Sequence, residues 1–384
     1  MATMKIQDLV KKELLPIKRP VHGGQGWKFP GVEDFSHNLN PYGPPAELPR
    51  LVTEAMEQLV HYPDDTAAEF REAVAKLHNV QAQNVIAGAG SAELIRLYPE
   101  VFLSRKARVI IPRPTFSEYS HACRIQGANI MDAPLIEGEG FRLDLNAIRE
   151  KLPLARALYI CNPNNPTGTV EPKRRIMELV DECEAAGKLV FLDETLLDLV
   201  DGHDSLSCMS EVRGHSNLFI ISSLTKSFAI PGLRVGYGVG SEEVVSMMDR
   251  ARLSWNMGAI EQYVGTRLVS DHQDHVRRAA EMMSSERNRI KKAVDHIGLF
   301  SPLPDQCFFF FTRVNDPKLT AKDIVEHLLP RKVLVRDCST FGRPFEKFVR
   351  FSVKTPEKND LLISAMEETA REIRSTAFGA RMHV

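Results

Sequence analysis

The sequence predicts an α/β fold: a large domain with a mainly parallel sheet flanked by helices, and a small α+β domain. Four short runs are apolar on both faces, as strands of a parallel sheet covered on each side should be. They are ARVIIP (107–112), ALYIC (157–161), KLVFLD (188–193) and NLFIIS (217–222). Helical patterns such as EPKRRIMELVDECEAAG separate these runs. Strand, helix and strand in series indicate βαβ units.

The chain has 384 residues, which is long for one compact core and favours more than one domain. Residues 1–45 are rich in Gly and Pro and are predicted to form an irregular arm that belongs with the small domain. A helical stretch at 259–297 ends the alternating pattern. Strands and helices of a different order follow it, beginning with CFFFFTRV. We therefore expect a large domain at 46–285 and a small α+β domain at 286–384.

Composition excludes several classes of protein. The net charge of −1 gives no basic field for nucleic acid, and no apolar run approaches the roughly 20 residues that span a membrane. The segment MATMKIQDLVKKELLP lacks the apolar core of a secretory signal. The six cysteines are scattered without a C-x-x-C pair, which argues against a structural zinc site or a disulfide framework. A cytoplasmic protein without a metal site is the expectation.

Three of the predicted strands end in reactive side chains. NPNNPTG (162–168) follows the second run, Asp193 ends the third, and the fourth leads into Lys226, with Arg234 eight residues further on. Ligands of α/β sheets bind at the carboxyl ends of the strands. Alone, Asp193 is more often a helix cap or a solvated strand end, and Lys226 a surface charge. Their order along the chain favours a functional site.

This set is typical of a pyridoxal phosphate (PLP) site. Lys226 would attach the cofactor through its aldehyde, Asp193 would pair with the pyridine nitrogen, and Asn165 would donate to the phenolate oxygen. Phe116 is placed to lie against the ring, although an ordinary core aromatic explains it equally well.

A Gly-rich turn, GAGSAE (88–93), opens a predicted helix, and such a turn offers free backbone N–H groups to a phosphate. It is also compatible with a plain turn into a helix. The residues predicted to hold the cofactor phosphate are Ser223, Thr225 and Arg234, together with the N–H groups of Ser91 and Ala92.

NPNNPTG, the DE after a strand, and SLTKSFAIPGLRVGYG resemble fold-type I aminotransferases. YPDD (62–65) followed by GAGSAELI resembles their histidinol-phosphate aminotransferase branch. The resemblance implies PLP as cofactor and a homodimer in which Tyr62 reaches the cofactor phosphate of the other subunit. A buried tyrosine at a helix start is the alternative for Tyr62.

Within this branch, HGG (22–24), DFSHNLNPYGPP, HYPDD, DETLLDLVDG and VRDCSTF are similar to the threonine-phosphate decarboxylases of cobalamin synthesis. Leu196 stands where the aminotransferases usually carry a tyrosine, as in the decarboxylase pattern. Tyr42 and Ser254 depart from that pattern. The resemblance implies decarboxylation of L-threonine O-3-phosphate.

Arg336 and Arg350 lie in two predicted neighbouring strands, and arginine suits carboxylate or phosphate. With His22 and Asn165 they are the predicted substrate contacts, although a surface salt bridge would also explain Arg350. Three other functions stay open: a histidinol-phosphate-type aminotransferase, a decarboxylase of serine phosphate or a phosphonate, and a regulatory protein that retains the fold.

Overall fold

The computed structural model describes residues 5–303 and 307–381, with side chains as far as residue 375. The first strand, β1 (Glu33–Asp34), lies in the arm, which otherwise consists of turns and short 3-10 helices. The strands of the large sheet are β2 (Val85–Gly88), β3 (Arg108–Arg113), β4 (Asn129–Pro134), β5 (Ala157–Cys161), β6 (Leu189–Asp193), β7 (Leu218–Ser223) and β8 (Gly236–Gly240). The later strands are β9 (Phe300–Pro302), β10 (Phe309–Val314), β11 (Val333–Leu334), β12 (Arg336–Asp337) and β13 (Phe348–Ser352).

The large sheet has the strand order β2-β8-β7-β6-β5-β3-β4. β3 to β7 pair in parallel, and β8 is antiparallel to both of its neighbours. The predicted α/β class is therefore confirmed, and each of the four apolar runs forms a strand within one residue of its expected position. Alternate side chains supply two cores: Val190 and Leu192 pack on one face of the sheet, and Phe191 packs on the other.

Helices cover both faces of this sheet and follow the small-domain strands. Those of the first part are α1 (Leu48–Ala55), α2 (Ala68–His78), α3 (Ser91–Phe102), α4 (Ser117–Ile125), α5 (Leu145–Lys151), α6 (Lys173–Ala185), α7 (Leu224–Ser227), α8 (Glu242–Asp249), α9 (Ala259–Asp271) and α10 (Gln273–Ile297). The last two are α11 (Ala321–Leu328) and α12 (Pro356–Arg381). In the described ranges, no helix combines the length and the apolar character needed to cross a membrane.

The C-terminal strands form an antiparallel sheet of order β12-β13-β10-β9. The arm is fastened to this part of the molecule, because β1 pairs in parallel with β11 and Ser352 N donates to Phe35 O at 2.9 Å. α10 runs without interruption through residue 285, where the domain boundary is predicted. The boundaries at 45 and 285 stay predictions.

Candidate active site

A cavity of about 810 Å³ lies where the carboxyl ends of β5, β6 and β7 face the arm and the small sheet. Twelve of the thirteen predicted site residues line it: His22, Ser91, Ala92, Phe116, Asn165, Asp193, Ser223, Thr225, Lys226, Arg234, Arg336 and Arg350. Tyr62 does not. The parallel strands bring these side chains together because their carboxyl ends meet at one edge of the sheet.

Lys226 lies on α7, the single helical turn that follows β7. Its carbonyl accepts a hydrogen bond from Asn40 N at 2.9 Å, which ties the lysine backbone to the arm. Burial, together with the positive charges of Arg350 and Arg234, lowers the pKa of Lys226 to about 8. A fraction of the amine is therefore neutral near pH 7, and the neutral amine is the nucleophilic form.

The lowered pKa predicts the reactivity of the protein without cofactor. Labelling of Lys226 by an amine-acylating reagent should be half-maximal near pH 8, whereas exposed lysines should follow a pKa of about 10.4. Peptide mass spectrometry after brief labelling at a series of pH values measures both in one sample. If Lys226 follows the exposed lysines, burial does not tune this amine.

Asp193 ends β6, and both of its carboxylate oxygens are engaged. Oδ1 accepts from Thr195 N at 2.8 Å, and Oδ2 accepts from the Tyr119 hydroxyl at 2.6 Å. Burial raises the pKa of Asp193, while the hydrogen bonds from Thr195 and Tyr119 oppose that shift. Only 6% of Asp193 is exposed, and it faces the cavity that Lys226 also lines. The carboxylate therefore has a fixed direction.

The turn at Gly90 and the start of α3 together form a small concave surface on the sheet, which we call the glycine cup. Gly90 has a φ of 75°, and a Cβ atom there would come within 3.0 Å of the Arg234 guanidinium carbon. A Cβ atom on Gly236 of β8 would lie 2.7 Å from Gly90 C. The missing side chains let the first N–H groups of α3 approach Arg234, in a geometry suited to a phosphate.

Ser223 and Thr225 add two hydroxyl groups to the same cavity. Their hydroxyl oxygens are 2.8 Å apart, and Ser223 Oγ donates to Val235 O at 3.0 Å. Both residues are buried, and both line the cavity. Arg234 has no carboxylate partner among the described residues, so its charge is available to an anion.

Arg336 and Arg350 also line the cavity, as direct cross-strand neighbours on β12 and β13. Arg350 donates to Asn165 Oδ1 and, at 2.6 Å, to Ser36 O, while its Nε is enclosed without a partner among the described residues. Arg336 donates to Val21 O and Thr340 Oγ1, each at 2.9 Å. Burial lowers the pKa of both guanidinium groups, to about 10 for Arg350.

His22 and Phe116 lie at the rim. His22 Nε2 is 2.8 Å from Glu118 Oε1, and the His22 ring is 5.8 Å from the ring of Phe116. His22 is therefore held by a carboxylate, which the sequence analysis did not anticipate. Phe116 is partly exposed to the cavity instead of being enclosed in the core.

Tyr62 lies outside the cavity of this chain, with 81% of its surface exposed. Its ring packs against that of Trp255 in a tilted geometry, with 4.8 Å between the ring centroids. Val60 and Leu253 are also largely exposed. The alternative of a buried tyrosine at a helix start is therefore wrong.

Tyr119, Lys354 and His37 are among the residues of the cavity wall that sequence reasoning missed. Lys354 is ion-paired with Glu33. A signal existed for Tyr119, which follows Phe116 by one helical turn, so that both can face the cavity from the start of α4. Nothing in the sequence distinguishes Lys354 or His37 from ordinary polar residues.

The sheet, the antiparallel domain beside it and the lysine between them define the architecture of a fold-type I PLP enzyme. The family model "Aminotransferase class I and II" matches residues 30–366. The chain belongs to this family.

Three relatives illustrate the similarity. A protein of Caldanaerobacter subterraneus subsp. tengcongensis named "Putative threonine-phosphate decarboxylase" is 31% identical, over 92% of this chain and 95% of its own. The histidinol-phosphate aminotransferase of Moorella thermoacetica is 29% identical, over 88% and 86%. The solved histidinol-phosphate aminotransferase of Sinorhizobium meliloti, in complex with pyridoxal-5'-phosphate, is 20% identical over 89% and 91%, with a TM-score of 0.81.

Membership in this family makes the chain a PLP-dependent enzyme. The residues that line the cavity also fit PLP, independently of the family match. The glycine cup and Arg234, which has no carboxylate partner among the described residues, face the cavity. Lys226, with its lowered pKa, and the buried carboxylate of Asp193 line the same cavity. These are the groups that a phosphate, an aldehyde and a ring nitrogen require.

Proposed function

We propose that this enzyme decarboxylates L-threonine O-3-phosphate to (R)-1-aminopropan-2-yl phosphate, a step of cobalamin biosynthesis. The observation that carries the proposal is the pair of adjacent arginines, Arg336 and Arg350, which both line the cavity. Neither forms an ion pair with a carboxylate in the described part of the chain. The relative from Caldanaerobacter supports the same reaction.

Charge explains why this pair suits a substrate with two anionic groups. Two guanidinium groups side by side repel each other, and burial removes the water that would screen them. A ligand with a carboxylate and a phosphate neutralises both, through charge-assisted hydrogen bonds of about 1.5–3 kcal/mol each. An amino acid without the phosphate leaves one cation unpaired.

We assign the carboxylate to Arg350 and the phosphate to Arg336. Arg350 is buried beside Asn165 and lies close enough to Lys226 for its charge to lower the pKa of that lysine. Arg336 lies under the arm, where a Cβ atom on Gly23 would come within 3.1 Å of its side chain. Glu118 accepts from Nε2 of His22, and the doubly protonated ring, which carries N–H on both nitrogens, would donate to the phosphate through Nδ1.

In this assignment the chain selects which bond at Cα breaks. PLP, when bound, supplies the sink for the electron pair that the departing carboxylate leaves on Cα. Grips on the phosphate and the carboxylate would fix the orientation of the amino acid and thereby select the Cα–carboxylate bond. Lys226 would supply the proton that Cα takes up when CO2 leaves. Asp193 and Asn165 would hold the ring of the cofactor, and Phe116 would lie against its face.

Leu196 also favours decarboxylation. It is buried and lines the cavity, at the place where the aminotransferases that the sequence resembles usually carry a tyrosine. An apolar wall there donates no hydrogen bond to the phenolate oxygen. Asn165 is then the group for that oxygen, and its amide nitrogen is available because Arg350 occupies Oδ1.

We further propose a homodimer in which Tyr62 completes the phosphate site of the other subunit. The exposed contact of Tyr62 with Trp255, with Val60 and Leu253 also exposed, supports this. Such an apolar surface is costly to leave in water and typical of an interface. A two-fold axis would bring the same surface of each subunit against the other.

A mixed dimer tests the shared site. Tyr62→Ala and Lys226→Ala, each inactive or nearly so alone, should regain activity when the two variants are unfolded and refolded together. One of the two sites in a mixed dimer then has both an intact lysine and an intact tyrosine. Failure of the mixture to exceed the separate variants, with mixed dimers verified by mass spectrometry, would contradict the proposal.

A second candidate is transamination of histidinol phosphate, which the relative from Moorella favours. That reaction breaks the Cα–H bond of histidinol phosphate, which has no carboxylate, and passes the amino group to 2-oxoglutarate, whose carboxylates would then use the arginines. It uses the same cofactor residues, so the two functions are distinguished at the arginine pair and at Leu196.

A substrate panel distinguishes the candidates. The purified enzyme should release CO2 from threonine phosphate with kcat/KM well above that for threonine, while serine phosphate and the phosphonate analogue define the tolerance of the phosphate grip. Arg336→Ala should erase the preference for threonine phosphate over threonine. Rapid glutamate formation from histidinol phosphate and 2-oxoglutarate, without CO2 from any phospho-amino acid, would establish the second candidate instead.

A further inference from the structure

Tyr119 is the one buried side chain among those described whose hydroxyl donates to Asp193. Its oxygen lies 2.6 Å from Asp193 Oδ2, and only 1% of the residue is exposed. Burial raises the pKa of Tyr119 well above its ordinary value, so the phenol keeps its proton and acts as a donor. Because the carboxylate accepts this bond, its ionised form is stabilised.

The direction of this hydrogen bond is fixed by packing. The Tyr119 ring meets Phe116 edge-on at 5.6 Å and lies 6.0 Å from Phe191 and 6.1 Å from Tyr159. These neighbours prevent the ring from swinging away from Asp193. Thr195 N holds the other oxygen at 2.8 Å, so the carboxylate is clamped at both ends.

We propose that Tyr119 is a positioning residue that keeps Asp193 ionised and aimed at the ring nitrogen of PLP. The inference rests on the pairing of Asp193 with that nitrogen, which is part of the proposed function. A proton between a carboxylate and a pyridine can lie on either atom. A donor on the carboxylate lowers its proton affinity and thereby favours the protonated ring nitrogen, which is the stronger electron sink.

The test replaces Tyr119 with phenylalanine and measures the protonation state of the ring nitrogen by ¹⁵N NMR. The enzyme is loaded with PLP that carries ¹⁵N in the ring, and its ¹⁵N resonance is compared with that of the wild type. The resonance should move from the pyridinium range toward neutral pyridine, and kcat should fall by about tenfold, as loss of a charge-assisted hydrogen bond implies. KM for the substrate should change little.

Tyr98→Phe is the matched control. Tyr98 is fully buried in the same aromatic cluster, and its hydroxyl has no hydrogen-bond partner in the described ranges. That variant should keep the wild-type resonance and kcat. If Tyr119→Phe behaves like Tyr98→Phe, the inference is overturned.

Asp193→Asn distinguishes a failure of the role given to Tyr119 from a failure of the pairing given to Asp193. If Asp193→Asn shifts the resonance and Tyr119→Phe does not, only the role of Tyr119 fails. If Asp193→Asn leaves the resonance unchanged, the pairing assigned to Asp193 is wrong. Should Tyr119→Phe fail to fold, 3,5-difluorotyrosine at position 119 keeps the hydroxyl and strengthens it as a donor. The resonance should then remain in the pyridinium range, and a shift toward neutral pyridine would overturn the inference.

Discussion

Replacement of Lys226 by alanine is expected to abolish covalent attachment of PLP and to lower kcat by roughly 10²–10⁴-fold, the usual contribution of a positioned proton donor. The lysine lines the cavity with a pKa of about 8, and no other described lysine except Lys354 lines it. Lys354 is committed to an ion pair with Glu33. Borohydride reduction of the wild-type enzyme and peptide mapping should place the pyridoxyl group on Lys226.

Lys318→Ala is the control, because Lys318 is exposed and outside the cavity. That variant should retain both the label and the turnover of the wild type. A pyridoxyl group on any lysine other than Lys226, or full turnover by Lys226→Ala, would refute the assignment of this residue.

Asp193→Asn should lower kcat by about 10²–10³-fold while the fold is retained. The amide oxygen can still accept from Thr195 N, and the amide nitrogen can donate to the Tyr119 oxygen, so the local contacts survive. The negative charge does not survive. A neutral amide cannot stabilise a protonated ring nitrogen, and the electron sink is weakened.

Glu194→Gln is a demanding control for this variant. Glu194 is the next residue and is equally buried, but its oxygens bond Cys208 N and Ser207 Oγ away from the cavity. We expect it to affect stability more than turnover. If cofactor-loaded Asp193→Asn retains the wild-type kcat, Asp193 does not have the electronic role assigned to it.

The fold and the cofactor end of the site could be predicted from local sequence. Strands β5, β6 and β7 are short apolar runs, and the residues that matter follow them directly, so period and position suffice. Gly90 and Gly236 could be recognised from the sequence because only glycine permits the close approach between their two backbone segments. The break between α9 and α10 at His272 was not predicted, since the helical pattern continues through it.

The interactions that tune the site depend on tertiary contacts between distant segments. The bond of Arg350 to Asn165 joins residues 185 positions apart, and that of Tyr119 to Asp193 joins residues 74 apart. The pairing of His22 with Glu118 likewise depends on where the arm crosses α4. No periodicity encodes such pairs, so residue types could be proposed in advance and partners could not.

Breakage of the Cα–carboxylate bond, and not of the Cα–H bond, is tested by incubating the enzyme with threonine phosphate labelled with ¹³C in the carboxyl group and following the label by NMR. We expect the label to leave as CO2 and bicarbonate, in step with formation of aminopropanol phosphate. Label that remains in a 2-oxo acid, or in unreacted substrate under conditions where histidinol phosphate is transaminated, would contradict it.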